Sequence, residues 1–84
     1  METDLTARTI KINGYDVPEP VSEPLENGTA FWVPDVLTYN IENYVWTDHL
    51  FDSRMLKLGL IHLNQNSAKT HMDALLSFTR KDKP

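Results

Sequence analysis

The chain has 84 residues, eight Lys or Arg against twelve Asp or Glu, a net charge of −4 and no cysteine. That length allows one domain with a thin core, burying roughly two thirds of the surface the unfolded chain would expose, and the absence of cysteine excludes disulfides and thiolate metal sites. The charge is polarised: residues 12–53 hold no Lys or Arg and carry −8, whereas residues 54–84 carry +4, so that acidic and basic ends solvate and attract one another or steer a partner.

Residues 1–8 show no periodicity and are expected to form a flexible N-terminal tail. They lack a basic segment and an apolar segment of the kind that directs export, and no apolar run in the chain reaches the roughly 18 residues of a membrane span. The expectation is therefore a soluble, unexported chain. From Thr9 to Val17 the residues alternate around Asn13-Gly14, the pair best suited to a two-residue hairpin loop because both positions need positive φ. Such a loop pairs Ile12 with Tyr15 and Ile10 with Val17 and puts all four side chains on one face.

Pro18, Pro20 and Pro24 mark an extended connector over the surface, ending at Asn27-Gly28. Thr29–Val33 is rich in aromatic and β-branched residues and reads as a strand that Pro34-Asp35 stops. Residues 39–46 alternate imperfectly, with apolar side chains on both faces near Trp46, as in a strand in the middle of the sheet or one whose second face meets another surface. Thr47-Asp48 offers a helix N-cap, and Leu50, Phe51, Arg54, Met55 and Leu58 follow at helical spacing up to Gly59, a natural stop. Leu60–Leu63 returns to extended chain. Asn64 then caps a longer helix through about Thr79, with Ala68, His71, Met72, Leu75 and Phe78 or Thr79 along one stripe. Arg80 and Lys81 suit the negative end of that helix.

These elements predict an α+β domain over residues 9–80, with a basic C-terminal tail at 81–84. A small antiparallel sheet is expected from residues 9–17, 29–33 and 39–46, joined by 60–63. A short helix at 49–58 and a longer C-terminal helix at 65–79 pack on one of its faces. The strand order is not readable from the pattern.

Several stretches resemble small uncharacterised accessory proteins of tailed phages and prophages of enteric bacteria. They are Ile12–Pro20, Pro24-Leu25 with Gly28, Trp32-Val33-Pro34, Trp46, Arg54–Leu63, and Ala68 with His71 and Ala74–Phe78, which together span most of residues 12–78. In many of those proteins the last helix opens with Thr followed by Lys-Glu-Glu-Ala. Here Asn64-Gln65-Asn66-Ser67-Ala68 keeps the cap and lacks the acidic first turn. The resemblance implies a phage origin, the cytoplasm of a bacterial host and this fold, and it carries over no catalytic residue.

Asp48, His49 and Asp52 form the most site-like cluster. With His62 or His71 they could make a hard-ligand metal site, but the spacing matches no known ligand pattern and Asp at a helix start is what capping requires, so no metal or cofactor is assigned. His62 and His71 would form an acid–base or pH-sensitive couple if the strand folds back on its helix. Otherwise His71 borders the apolar stripe and His62 stands on the strand face away from the helix, partly exposed. No serine has an elbow or a base motif, and so short a chain has little room for a substrate pocket; no catalytic residue and no enzymatic activity are expected.

A nucleic-acid-binding protein would use Lys69, Arg80, Lys81 and Lys83, against which stand a pI near 5.1 and the basic-free block. An acidic surface that imitates DNA fits the same charge. The preferred expectation is a non-enzymatic accessory protein acting through protein–protein contact. Its partner is a host-encoded protein, which it modulates, or a second copy in a homodimer. Two tryptophans, three tyrosines and three phenylalanines exceed what one thin core covers, and Trp and Tyr favour interface centres. Trp32, Tyr44, Trp46, Leu60 and His62 are the candidate interaction residues, on a sheet face that the Pro-rich connector could instead close.

Overall fold

The computed structural model describes residues 8–79. In chain order the elements are β1 (Thr9–Ile12), β2 (Tyr15–Pro18), β3 (Ala30–Asp35), β4 (Asn40–Val45), α1 (Leu50–Lys57) and α2 (Gln65–Leu76), an α+β arrangement. The tail residues 1–7 and the basic residues 80–84 lie outside the described residues. Arg8, assigned to the tail from sequence, lies within them and its carbonyl accepts from the Glu19 N–H at 3.0 Å.

Asn13 and Gly14 take φ of 51° and 87°, and the hairpin they turn has the register the alternation requires, Ile12 opposite Tyr15 and Ile10 opposite Val17. Val17 alone of the four is fully buried. The hairpin docks on α2, and its turn is tied there through a relay. Asn13 Nδ2 donates to Ser77 Oγ at 2.7 Å, and Ser77 Oγ donates to the Ala74 carbonyl at 2.6 Å.

The strands form two two-stranded sheets, β1–β2 and β3–β4, in place of the single sheet expected. Pro18 and Pro20 remove the donors that would carry β2 into a longer ladder. β3 also runs on through Pro34, which pairs with Ile41, where a stop was expected. The reason is which edge each residue faces. Trp32 exchanges both backbone hydrogen bonds with His62, each 2.9 Å, so the even-numbered residues of β3 point their N–H and C=O away from β4, and Pro34 gives up no bond to it. On the other edge the next antiparallel pair after Trp32–His62 would be Pro34–Leu60, which needs the N–H that proline lacks. Residues 60–63 therefore contribute a single bridge.

Strand alternation sends Ile61 to the side of Phe31 and Val33, and His62 to the side of Trp32. Phe31, Val33, Trp46 and Ile61 form the central buried cluster, with Met55 and Leu56 of α1 and Val21 and Leu25 of the connector packed on it. Phe31 meets Trp46 edge-on, ring centres 6.1 Å apart, a favoured aromatic geometry. The connector is accordingly more than a surface strap: Val21 N–H donates to the Ile61 carbonyl at 2.8 Å. α2 takes the His62 side, so each face of the β3 sheet meets a helix.

α1 begins at Leu50 with His49 as N-cap, one residue beyond the Thr47-Asp48 pair expected to cap it, because Asp48 adopts φ 62° and holds the chain out of the helix. It ends in a full Schellman motif. Gly59 N–H donates to the Leu56 carbonyl and Leu60 N–H to that of Met55, with Gly59 at φ 72°. α2 is capped by Asn64, whose Oδ1 accepts from Ser67 N–H at 2.8 Å. It stops at Leu76, three residues before the end expected, where Ser77 N–H is shared between the Asp73 and Ala74 carbonyls and the Phe78 and Thr79 amides bond three residues back. Phe78 consequently leaves the stripe and is exposed.

A Cβ on Gly59 would meet nothing within 4 Å, so Gly59→Ala isolates the backbone cost of the left-handed conformation. Chemical unfolding should show a loss of about 1 kcal/mol and a smaller loss for Gly59→Asn. Equal stability of Gly59→Ala and wild type would show that the stop does not need glycine.

Candidate functional site

The five candidate interaction residues do not share one surface. The β3–β4 register places Phe31 opposite Tyr44 and Trp32 opposite Asn43, so Trp32 and Tyr44 project to opposite faces. Trp46 and His62 are each only 2 % exposed, which removes both from any surface a partner could touch. Leu60 is half-buried against the Phe31 cluster, and Trp32 is half-buried beside His62. Tyr44 alone reaches solvent substantially. It packs between Phe31 and Phe51, with ring centres 5.8 and 4.7 Å away, and stays 36 % exposed.

What the structure adds is an edge. Because the odd-numbered residues of β3 face β4, the even-numbered residues of β4 face back, and Ile41, Asn43 and Val45 turn their N–H and C=O groups outward. Among the described residues no strand lies beside them. Val45 is 51 % exposed on one face of this edge, and Tyr44 and Phe51 are partly exposed on the other. Asn43 folds its side chain inward, Nδ2 donating to the Phe31 carbonyl at 3.0 Å, which leaves the edge backbone clear. β4 has no Lys, Pro or bulge, three of the devices with which edge strands block pairing, and Glu42 is its one charged residue. The composition of β4 was visible in the sequence, but its position at an edge was not.

His62 lies against α2 and not on the face away from it. Its Nε2 is 2.8 Å from His71 Nδ1, the rings are nearly perpendicular, and both residues are buried. One proton lies in that bond. If His62 donates, neutral His71 carries its own proton on Nε2; if His71 donates, its Nε2 is a bare acceptor. Two imidazolium rings would turn N–H against N–H, so the pair holds at most one extra proton. Burial pushes His62 down to about 4, with the charge His71 would carry adding to the effect, and burial likewise lowers His71. His71 also lines an open groove of about 460 Å³ with Ile10, Ile12, Val21, Leu56 and Leu58, to which Glu19 and Ser22 add polar groups.

Asp48, His49 and Asp52 resolve into a helix start. Asp52 is buried, and its Oδ2 accepts from the Thr47 and His49 N–H groups at 2.9 and 3.2 Å. Burial works to raise its pKa, but those amides and the nearby His49 outweigh it and hold the carboxyl below the ordinary value. Among the described residues no three His, Asp or Glu side chains stand close enough to hold a metal ion. No helix among them is long and apolar enough to cross a membrane.

Compared with known proteins, the chain matches no family model, no curated protein and no solved structure. The geometry of β4 and of the histidine pair therefore carries the functional argument.

The histidine pair makes stability depend on pH. Both folded-state values lie below that of free imidazole, so the unfolded chain takes up protons first. The pair's contribution is full above about pH 6.5 and is lost as pH falls toward about 4. Urea midpoints should fall through that window by the equivalent of roughly 2–3 kcal/mol, and His71→Gln should flatten the fall. The same slope in wild type and variant would show that the pair does not titrate on unfolding.

Proposed function

We propose that this chain is a non-enzymatic accessory protein that acts by protein–protein contact, with the outer edge of β4 and its flanking side chains as the contact surface. The observation that carries this reading is the open edge. Among the described residues nothing pairs with the backbone groups of Ile41, Asn43 and Val45, the strand has no Lys or Pro, and an extended segment added there gains main-chain hydrogen bonds directly. Tyr44 and Phe51 on one side, and Val45 on the other, give such a segment apolar contacts at alternate positions. The phage resemblance of residues 12–78 supports placing the protein in a bacterial host and looking there for a host-encoded partner that it modulates.

Nucleic-acid binding has less support. Lys69 is paired with Asp73 at 3.3 Å, Arg80, Lys81 and Lys83 lie outside the described residues, and the β4 edge belongs to the basic-free block that repels phosphate.

A tagged chain produced in an enteric bacterium during tailed-phage infection should retain a discrete protein. Val45→Lys should reduce that retention at least tenfold without moving the unfolding midpoint. Retention unchanged by Val45→Lys, or retention of nucleic acid that salt releases, would overturn the reading.

A further inference from the structure

The β4 edge is self-complementary, and we infer that its occupant is the β4 edge of a second copy of this chain, paired antiparallel about Asn43. The inference rests on the contact reading above and names the partner. In this register Asn43 faces Asn43 of the other copy, Ile41 faces Val45, and Glu42 faces Tyr44. Each of the outward residues Ile41, Asn43 and Val45 then exchanges its N–H and C=O with the opposite strand. The two-fold axis runs normal to the sheet, which joins two β3–β4 hairpins into one continuous four-stranded sheet. Both α1 helices lie on one face and both α2 helices on the other, an isologous closed contact.

The neighbouring registers are worse for reasons visible in the strand. Shifted by two positions one way, Glu42 opposes Glu42, and like charges directly opposite are destabilising. That shift also leaves Val45 facing Tyr39, which sits in the turn at φ 56° and outside β4. Shifted the other way, Tyr44 opposes Tyr44 and Ile41 faces Thr47, beyond the strand end. Only the register centred on Asn43 gives a β-branched apolar pair on each side of the axis and opposes no two like charges.

The chain has no cysteine, so single introduced cysteines report the register cleanly. Residues opposite one another in a hydrogen-bonded antiparallel pair lie about 5.5 Å apart between Cα atoms, within the span of a disulfide. Sedimentation of the wild-type chain should show a concentration-dependent dimer, and Val45→Lys should weaken it at least tenfold while near-ultraviolet circular dichroism shows the fold retained. A mixture of Ile41→Cys and Val45→Cys chains should oxidise mainly to the mixed dimer, each alone giving little. A wild-type chain that stays monomeric at every concentration overturns the proposal, as does equal cross-linking of the mixture and the single variants. If the chain is monomeric yet Val45→Lys abolishes capture of a host protein, the second copy is ruled out and the contact reading stands. If the chain neither self-associates nor captures a protein, both fall.

Discussion

One antiparallel bridge, between Trp32 and His62, ties the second half of the chain to the first. Its two 2.9 Å hydrogen bonds fix which side of residues 60–63 faces each helix. Ile61 enters the Phe31–Trp46 cluster beneath α1, and His62 turns toward α2. Toward Leu60 the bridge cannot lengthen, because the next donor on β3 would be Pro34. A contact of minimal extent thus orients two helices, and the burial on both sides of it supplies the stabilisation that one bridge lacks. Val21 bonding to the Ile61 carbonyl brings the proline-rich connector to the same short segment.

The polar groups drawn into this thin core are used in two ways. Asp52 is charged and satisfied by amides at the start of α1, so its burial is compensated by hydrogen bonds. His62 and His71 are neutral and satisfy one another through a single shared proton. The first arrangement holds a helix end in place. The second joins the bridge strand to α2 in a bond whose strength depends on protonation, and it borders the groove that Ile10 and Ile12 of the N-terminal hairpin help to line.

Features encoded within a few residues were legible in the sequence. Asn13-Gly14 specifies its hairpin and register, Gly59 its helix stop and Asn64 its cap, because each acts through its own backbone or side chain. Features that depend on pairing across the chain were not. Pro34 reads as a strand breaker until it is known that its missing N–H faces away from β4. Trp32, Tyr44 and Trp46 read as one face until the register sets Tyr44 opposite Phe31. The contact between His62 and His71 was readable as a consequence of the strand folding back on its helix, and the partly exposed alternative for His62 was not realised. The open edge of β4 follows from strand order, which alternation patterns do not contain.

The relay from Asn13 through Ser77 to Ala74 has a consequence for how the chain is made. The hairpin at residues 9–18 is locally encoded and can turn as soon as it is synthesised, but β2 packs on α2, and the turn finds its hydrogen bond 64 positions later. During translation the early hairpin therefore waits, with its apolar face open, until α2 has left the ribosome. A contact that spans 64 positions is slow to close, and a single proteolytic cut between the two turns the docking of the hairpin on α2 into an association of two pieces.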